Sequence, residues 1–320
     1  MSHPLRGYFF IASAAFFWAV SAALGRAVFT GKLPVNGQAA HPIDPVILSQ
    51  TRTSFSVFVL LPVLAGHRGW QRIRLPRRDL IQCLIVGMLG VAASNYFYYV
   101  AIQKTSVAIA IILQYTAPVW VLLYVVARGQ QNLSLRKVGA VLVAIAGLAL
   151  TIGLVGAKTE LPFRSNSYGL LAGVLASFSF AFYNVGAHRI LARYDRWRVL
   201  VWTLTSASSF WLLVNPPWKL VTSHYSGAQW AFLFVFSMLS VLGAFSLYFL
   251  GLQHLEPARA IIASCLEPVF SILLAAAFLK EGLRSVQTLG IVLVLTAIII
   301  VQLSGREAVA KDAVTVEPIE

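Results

Sequence analysis

Of 320 residues, 58% are apolar and only 11% charged, and the mean hydropathy is +0.77. A water-soluble domain carries about 25% charged and roughly 45–50% apolar residues, so one aqueous core is excluded as the home of this chain. The net charge of +14, from 25 Lys and Arg against 11 acids, would suggest nucleic acid in a soluble protein. Here the basic residues crowd into short loops between apolar runs, which makes the lipid bilayer the partner and not nucleic acid.

The apolar runs are about 20 residues long, enough to cross a hydrocarbon layer roughly 30 Å thick. In chain order they predict ten spans, near 8–29, 45–65, 80–102, 105–126, 136–155, 168–190, 199–215, 229–252, 257–279 and 286–303. Helices are expected, because lipid offers backbone groups no partner outside their own segment. The runs do not alternate, which argues against a β-barrel. The first run follows Arg6 without an A-x-A pattern and is expected to be a retained span. Cys83 and Cys265 fall inside spans and read as small buried residues, with no disulfide framework.

Orientation follows from the basic residues. With the N-terminus in the cytoplasm, that side holds Arg6, Arg68, Arg72, Arg74, Arg77, Arg78, Arg128, Arg136, Lys137, Arg189, Arg193, Arg196, Arg198, Arg306 and Lys311. The other side holds Lys32, Lys104, Lys158, Arg164, Lys219, Lys280 and Arg284. The excess predicts both termini in the cytoplasm.

Two halves repeat. At an offset of 150, Tyr98, Ala101 and Gln103 lie over Tyr248, Gly251 and Gln253, and Pro118-Val119 lies over Pro268-Val269. Ser134 and Gly139 match Ser285 and Gly290, and the Thr51–Ser56 stretch matches Thr203–Ser208. Five spans per half is an odd number, so the halves enter the membrane with opposite orientation, the architecture of secondary transporters. The expected division is 1–155 for the first repeat, 156–167 for an extracytoplasmic linker, 168–303 for the second repeat and 304–320 for an unfolded cytoplasmic tail.

Leu255-Glu256-Pro257-Ala258-Arg259, Ser264-x-x-Glu267-Pro268-Val269, Leu279-Lys280-Glu281-Gly282-Leu283 and Gly290 resemble the second half of EamA-type proteins of the drug/metabolite transporter superfamily. Ala108 to Pro118-Val119 and Gly139 are similar to the first half. The chain departs from the family's Gly-Glu after the fourth span, having Arg128-Gly129-Gln130. The resemblance implies an all-α integral membrane fold, ten transmembrane helices in two inverted five-helix repeats around a central cavity. It also implies a permease for a small organic metabolite, an amino acid or related solute, working as an exporter. A nucleotide-sugar or sugar-phosphate exchanger of the same fold, or an integral-membrane enzyme, is the alternative.

Polar groups at membrane depth mark candidate pathway residues. Glu267, with Ser264, lies on a stripe that also holds Ala260 and Ser271; its repeat equivalent is Ala110, Gln114, Ala117 and Val121. Glu267 is read either as a cavity wall able to exchange protons or as a carboxyl that bonds a neighbouring helix. Pro118 and Pro268 are hinge candidates, or static kinks. Arg52 either snorkels outward or binds an anionic solute; Arg26 and Arg259 lie nearer helix ends, where snorkelling or pairing with Glu256 is expected. Trp18, Asn95, Tyr98, Tyr99, Tyr183, Asn184 and Tyr248 complete the set of candidate substrate contacts, with helix packing as the alternative for each ring. His188 reads as a helix-end residue. No Walker A loop, G-x-S-x-G, H-E-x-x-H or Cys/His metal spacing is present, so no cofactor, metal or catalysis is expected. Proton coupling and a monomer or homodimer remain open.

Overall fold

The computed structural model describes residues 4–29, 34–35, 38–39, 43–104, 107–129, 135–151, 167–279 and 284–314. The chain begins with α1 (Pro4–Phe29), followed by a two-residue ladder of β1 (Pro34–Val35) and β2 (Gln38–Ala39). Next come α2 (Pro45–Arg68), the short α3 (Trp70–Ile73), and α4 (Arg77–Ile85), which runs through a π-helical stretch (Val86–Ala92) into α5 (Ala93–Lys104). The first half ends with α6 (Val107–Gln114), α7 (Ala117–Ala127) and α8 (Leu135–Thr151). The second half follows the same order: α9 (Ser167–Leu191), α10 (Arg196–Val214), the short α11 (Pro217–Val221), then α12 (Gly227–Ser237), which passes through a π-helical stretch (Met238–Gly243) into α13 (Ala244–Leu252). It closes with α14 (Pro257–Ala263), α15 (Leu266–Leu279) and α16 (Ser285–Val314).

Joined across their interruptions, these segments make ten rods among the described residues. Five of them, Val46–His67, Arg77–Ile102, Ala110–Ala127, Ser167–Leu191 and Gly227–Leu252, are long and apolar enough to cross a membrane. Their surfaces agree: Phe9, Phe58 and Leu213 are exposed while Gln50, Ser56, Ser177, Asn184, Ser237 and Ser264 are fully buried. Only an apolar solvent makes that distribution favourable.

The packing exchanges between halves. α1 lies on α13 and α15, as α9 lies on α5, α6 and α7; α2 crosses α10, and α8 packs along α16. Asp44 and Asp195 cap the second rod of each half, accepting from Val46 N at 2.7 Å and from Trp197 N at 3.2 Å. Between α2 and α10, Gln50 Nε2 donates to Asn215 O at 2.8 Å and Asn215 Nδ2 returns a bond to Gln50 Oε1 at 2.6 Å. Along the same crossing the Ser54 and Ser208 hydroxyls are 2.9 Å apart.

Two expectations change. The ninth span is not one helix but α14 and α15, so a continuous stripe through Ser264 and Glu267 does not exist. The expected unfolded segment 304–320 is helical as far as Val314, because Arg306 to Ala313 is rich in Ala, Glu, Lys and other good helix formers that carry α16 onward. The side chains of Arg26, Arg68 and Arg72, and residues 152–166 and 280–283, lie outside the described residues.

Asp79 escapes the sequence reading. Buried at the start of α4, it accepts from the Tyr194 hydroxyl at 2.6 Å and meets Arg193 at 2.8 Å, and Arg193 also donates to Gln82 Oε1 at 2.9 Å. The hydrogen bond to Asp79 pushes the Tyr194 hydroxyl above its ordinary pKa. This clamp ties the third rod to the turn before α10. Asp79→Ala should cost about 1–3 kcal/mol, read as a lower midpoint in detergent thermal unfolding; an unshifted midpoint would refute the clamp.

Candidate functional site

Pro118 and Pro268 explain the two broken rods. A proline cannot donate to the carbonyl four residues earlier, and its ring crowds that carbonyl. The chain responds in the same way twice. In the first half Thr116 N turns to Leu113 O at 3.1 Å and Val119 N to Thr116 O at 2.9 Å. In the second, Cys265 N turns to Ile262 O at 3.1 Å and Glu267 N to Ser264 O at 3.0 Å. Both helices restart at once, with each proline in the first turn of the new segment, where a missing N–H costs nothing.

The breaks face each other. Tyr115, in the first, donates its hydroxyl to Glu267 Oε2 at 2.6 Å, and the same hydroxyl lies 3.3 Å from Ser264 O, the carbonyl that Pro268 cannot bond and Glu267 N takes instead. The Ser264 side chain also lies within reach of the Tyr248 hydroxyl, which donates to Asn184 Oδ1. A polar chain thus runs Asn184–Tyr248–Ser264–Tyr115–Glu267, drawn from α9, α13, the α14–α15 break and the α6–α7 break. Arg52 and Tyr98 are close enough to Glu267 to interact with it electrostatically.

Aromatic rings wall this chain. Trp18 lies 5.1 Å from Tyr248 and 5.3 Å from Phe245, and Tyr183 stacks on Tyr248 at 6.1 Å. The Tyr183 hydroxyl is buried, with no hydrogen-bond partner among the described residues. Beside them Arg52, Asn95, Ser49 and Thr53 bound a pinched cavity of about 10 Å³, room for a single water. Arg52 donates to Ser240 Oγ at 3.0 Å and sits 5.5 Å from the Phe236 ring, so it turns inward and does not snorkel. A larger cavity of about 330 Å³ opens where the ends of α7, α9 and the start of α14 converge.

The structure therefore brings together Trp18, Arg52, Tyr98, Tyr183, Asn184, Tyr248, Ser264 and Glu267. It separates others. Gln114 points to Ser94 Oγ at 3.4 Å; Asn95, which bonds Val91 O at 2.9 Å within its own rod, nevertheless stays beside Arg52 on the wall of the pinched cavity. Tyr99 has Tyr98 as its ring neighbour, at 5.8 Å. Arg259 pairs with Glu256 at 3.5 Å, as expected. Tyr115 is the residue missed: it lies between the stripe positions Gln114 and Ala117, and a helix drawn straight through the break aims it elsewhere.

Two opposed broken helices inside an exchanged, lipid-facing bundle define an all-α integral membrane protein of the transporter class. The chain matches the EamA-like transporter family over residues 5–153 and again over 167–303, and it belongs to that family. It is 27% identical over 233 residues to the uncharacterized inner membrane transporter YicL of Salmonella typhimurium, covering 72% of this chain and 75% of that one. An uncharacterized transporter of Archaeoglobus fulgidus is 26% identical over 258 residues, covering 80% and 86%. A solved structure titled "Crystal structure of protein" superposes with a TM-score of 0.73 at 19% identity, covering 94% of this chain and 98% of that one; this likeness concerns the fold alone. The protein is a membrane transporter of the EamA and drug/metabolite transporter type.

Proposed function

We propose that this protein is a secondary transporter that exports a small organic metabolite, an amino acid or related solute, across the cytoplasmic membrane by alternating access. The observation that carries it is the meeting of the two broken helices at Tyr115 and Glu267. Each half contributes one interrupted helix, and a hydrogen bond between interruptions is a contact that two halves can make and break as they rock. The aromatic wall of Trp18, Tyr183 and Tyr248 suits a partly apolar solute, and Glu267 and Arg52 suit its charged groups. Pro118 and Pro268 act as hinges in this reading. Ten spans with both termini in the cytoplasm complete it, arranged as repeats 1–155 and 168–303.

Uptake and efflux in proteoliposomes with an amino-acid and metabolite panel test the reading. Gradient-driven flux of a solute without ATP supports it; chemical turnover of a lipid-linked substrate without solute flux would replace it with an enzyme. The topology has its own test. A cysteine at Gln38 should label from outside the cell and one at Gln71 should not, and the reverse pattern overturns the orientation.

A further inference from the structure

The larger cavity holds charges that the central polar chain does not use. Tyr124, His188, Arg189, Glu256 and Ala258 bound its volume of about 330 Å³, within the size range of small-ligand sites. The Arg189 guanidinium lies 5.2 Å from the Tyr124 ring centroid, and that of Arg128 lies 5.8 Å from the same ring. Both guanidiniums thus lie within cation–π reach of one ring, and of the two Arg189 bounds the cavity. Among the described residues neither forms an ion pair; Glu256, which shares the cavity wall with Arg189, pairs with Arg259 at 3.5 Å. The Tyr124 hydroxyl, on the same side chain, is buried and finds no hydrogen-bond partner among the described residues. His188 does not supply one, its Nδ1 lying 2.9 Å from Leu252 O.

A buried donor without an acceptor is costly, and it stands here beside two exposed guanidiniums. All three want the same thing, an anionic oxygen. We propose that this cavity binds an anionic oxyacid group, a phosphate or carboxylate, with Arg189 on its wall and Arg128 beside the Tyr124 ring supplying charge and the Tyr124 hydroxyl donating a hydrogen bond. The group can come from the headgroup of an anionic lipid or from a soluble anion; basic crevices between helices at the cytoplasmic face suit either. The site stands independently of which solute is carried through the central chain.

The full chain, purified in detergent, should be titrated with dioctanoyl phosphatidylglycerol, dioctanoyl phosphatidylcholine and inorganic phosphate, with binding followed by thermal shift. Phosphatidylglycerol or phosphate should bind more tightly than the net-neutral phosphatidylcholine. The Arg128→Gln, Arg189→Gln double variant should weaken that binding about tenfold or more, the worth of a hydrogen bond to a charged group. Tyr124→Phe keeps the ring and the packing and should also weaken it. Binding of phosphatidylglycerol but not phosphate assigns the site to lipid; binding of phosphate assigns it to a soluble anion. Equal binding of phosphatidylcholine, no binding of either anionic probe, or unchanged affinity in both variants overturns the proposal.

Discussion

Glu267→Gln should leave the protein folded and lower solute flux about tenfold or more, the scale of losing a charged group's hydrogen bonding to a ligand. A glutamine keeps the shape of the side chain, and its amide oxygen accepts the Tyr115 hydroxyl as Oε2 does at 2.6 Å. What it removes is the ability to carry a charge or a proton. A carboxyl at membrane depth must be neutral or compensated, because an isolated charge there costs at least about 2.5–3.5 kcal/mol. Its surroundings offer both routes: Tyr115 donates to it, and Arg52, Tyr98 and Cys265 lie within electrostatic reach. If Glu267 exchanges protons during the cycle, the glutamine variant should also flatten the dependence of flux on pH. The packing alternative makes the opposite forecast, normal flux for glutamine and lost expression or thermal stability for Glu267→Leu. Proteoliposome flux between about pH 5 and 8, measured for both variants, separates them. Tyr115→Phe, which deletes the donor from the other half, should reproduce part of the loss.

The fold was legible where physics leaves a signature along the chain. Apolar runs and basic loops are one-dimensional facts, and they foresaw the all-helical membrane fold; the Pro118 and Pro268 match marked a hinge or kink in each half, while both spans were drawn as continuous helices. The partner of Glu267 was not legible. Tyr115 comes to it from 152 positions away, and only because each proline ends one helix and starts another; a periodicity of 3.6 carried through the break rotates every later residue onto the wrong face. Asp79 was hidden for a different reason. It sits at a helix start among arginines and reads as a solvated end residue, and only the fold brings the turn with Arg193 and Tyr194 over it. Glycines are the third case, and there the sequence pairing and the spatial pairing differ.

Gly147→Leu and Gly290→Leu should each destabilise the protein by about 3 kcal/mol or more, the upper range for overpacking a close-packed contact. α8 and α16 touch backbone to backbone at this pair. A Cβ on Gly147 would stand 2.8 Å from Val294 N and 2.9 Å from Gly290 O, and one on Gly290 would stand 2.6 Å from Gly147 O. Backbone atoms cannot swing aside as a flexible side chain does, so the helices must separate along their length. Small residues are what permit helices to approach this closely in lipid, where no hydrophobic force drives them together. Gly139 is the control. It aligns with Gly290 in the repeat, yet a Cβ built on it meets nothing within 4 Å. Gly139→Ala should therefore be neutral or stabilising by about 0.5–1 kcal/mol through helix propensity alone. Thermal unfolding in detergent reads all three. A melting point that falls as far for Gly139→Ala as for Gly147→Leu would show that the repeat alignment, and not the close crossing, decides where glycine is required.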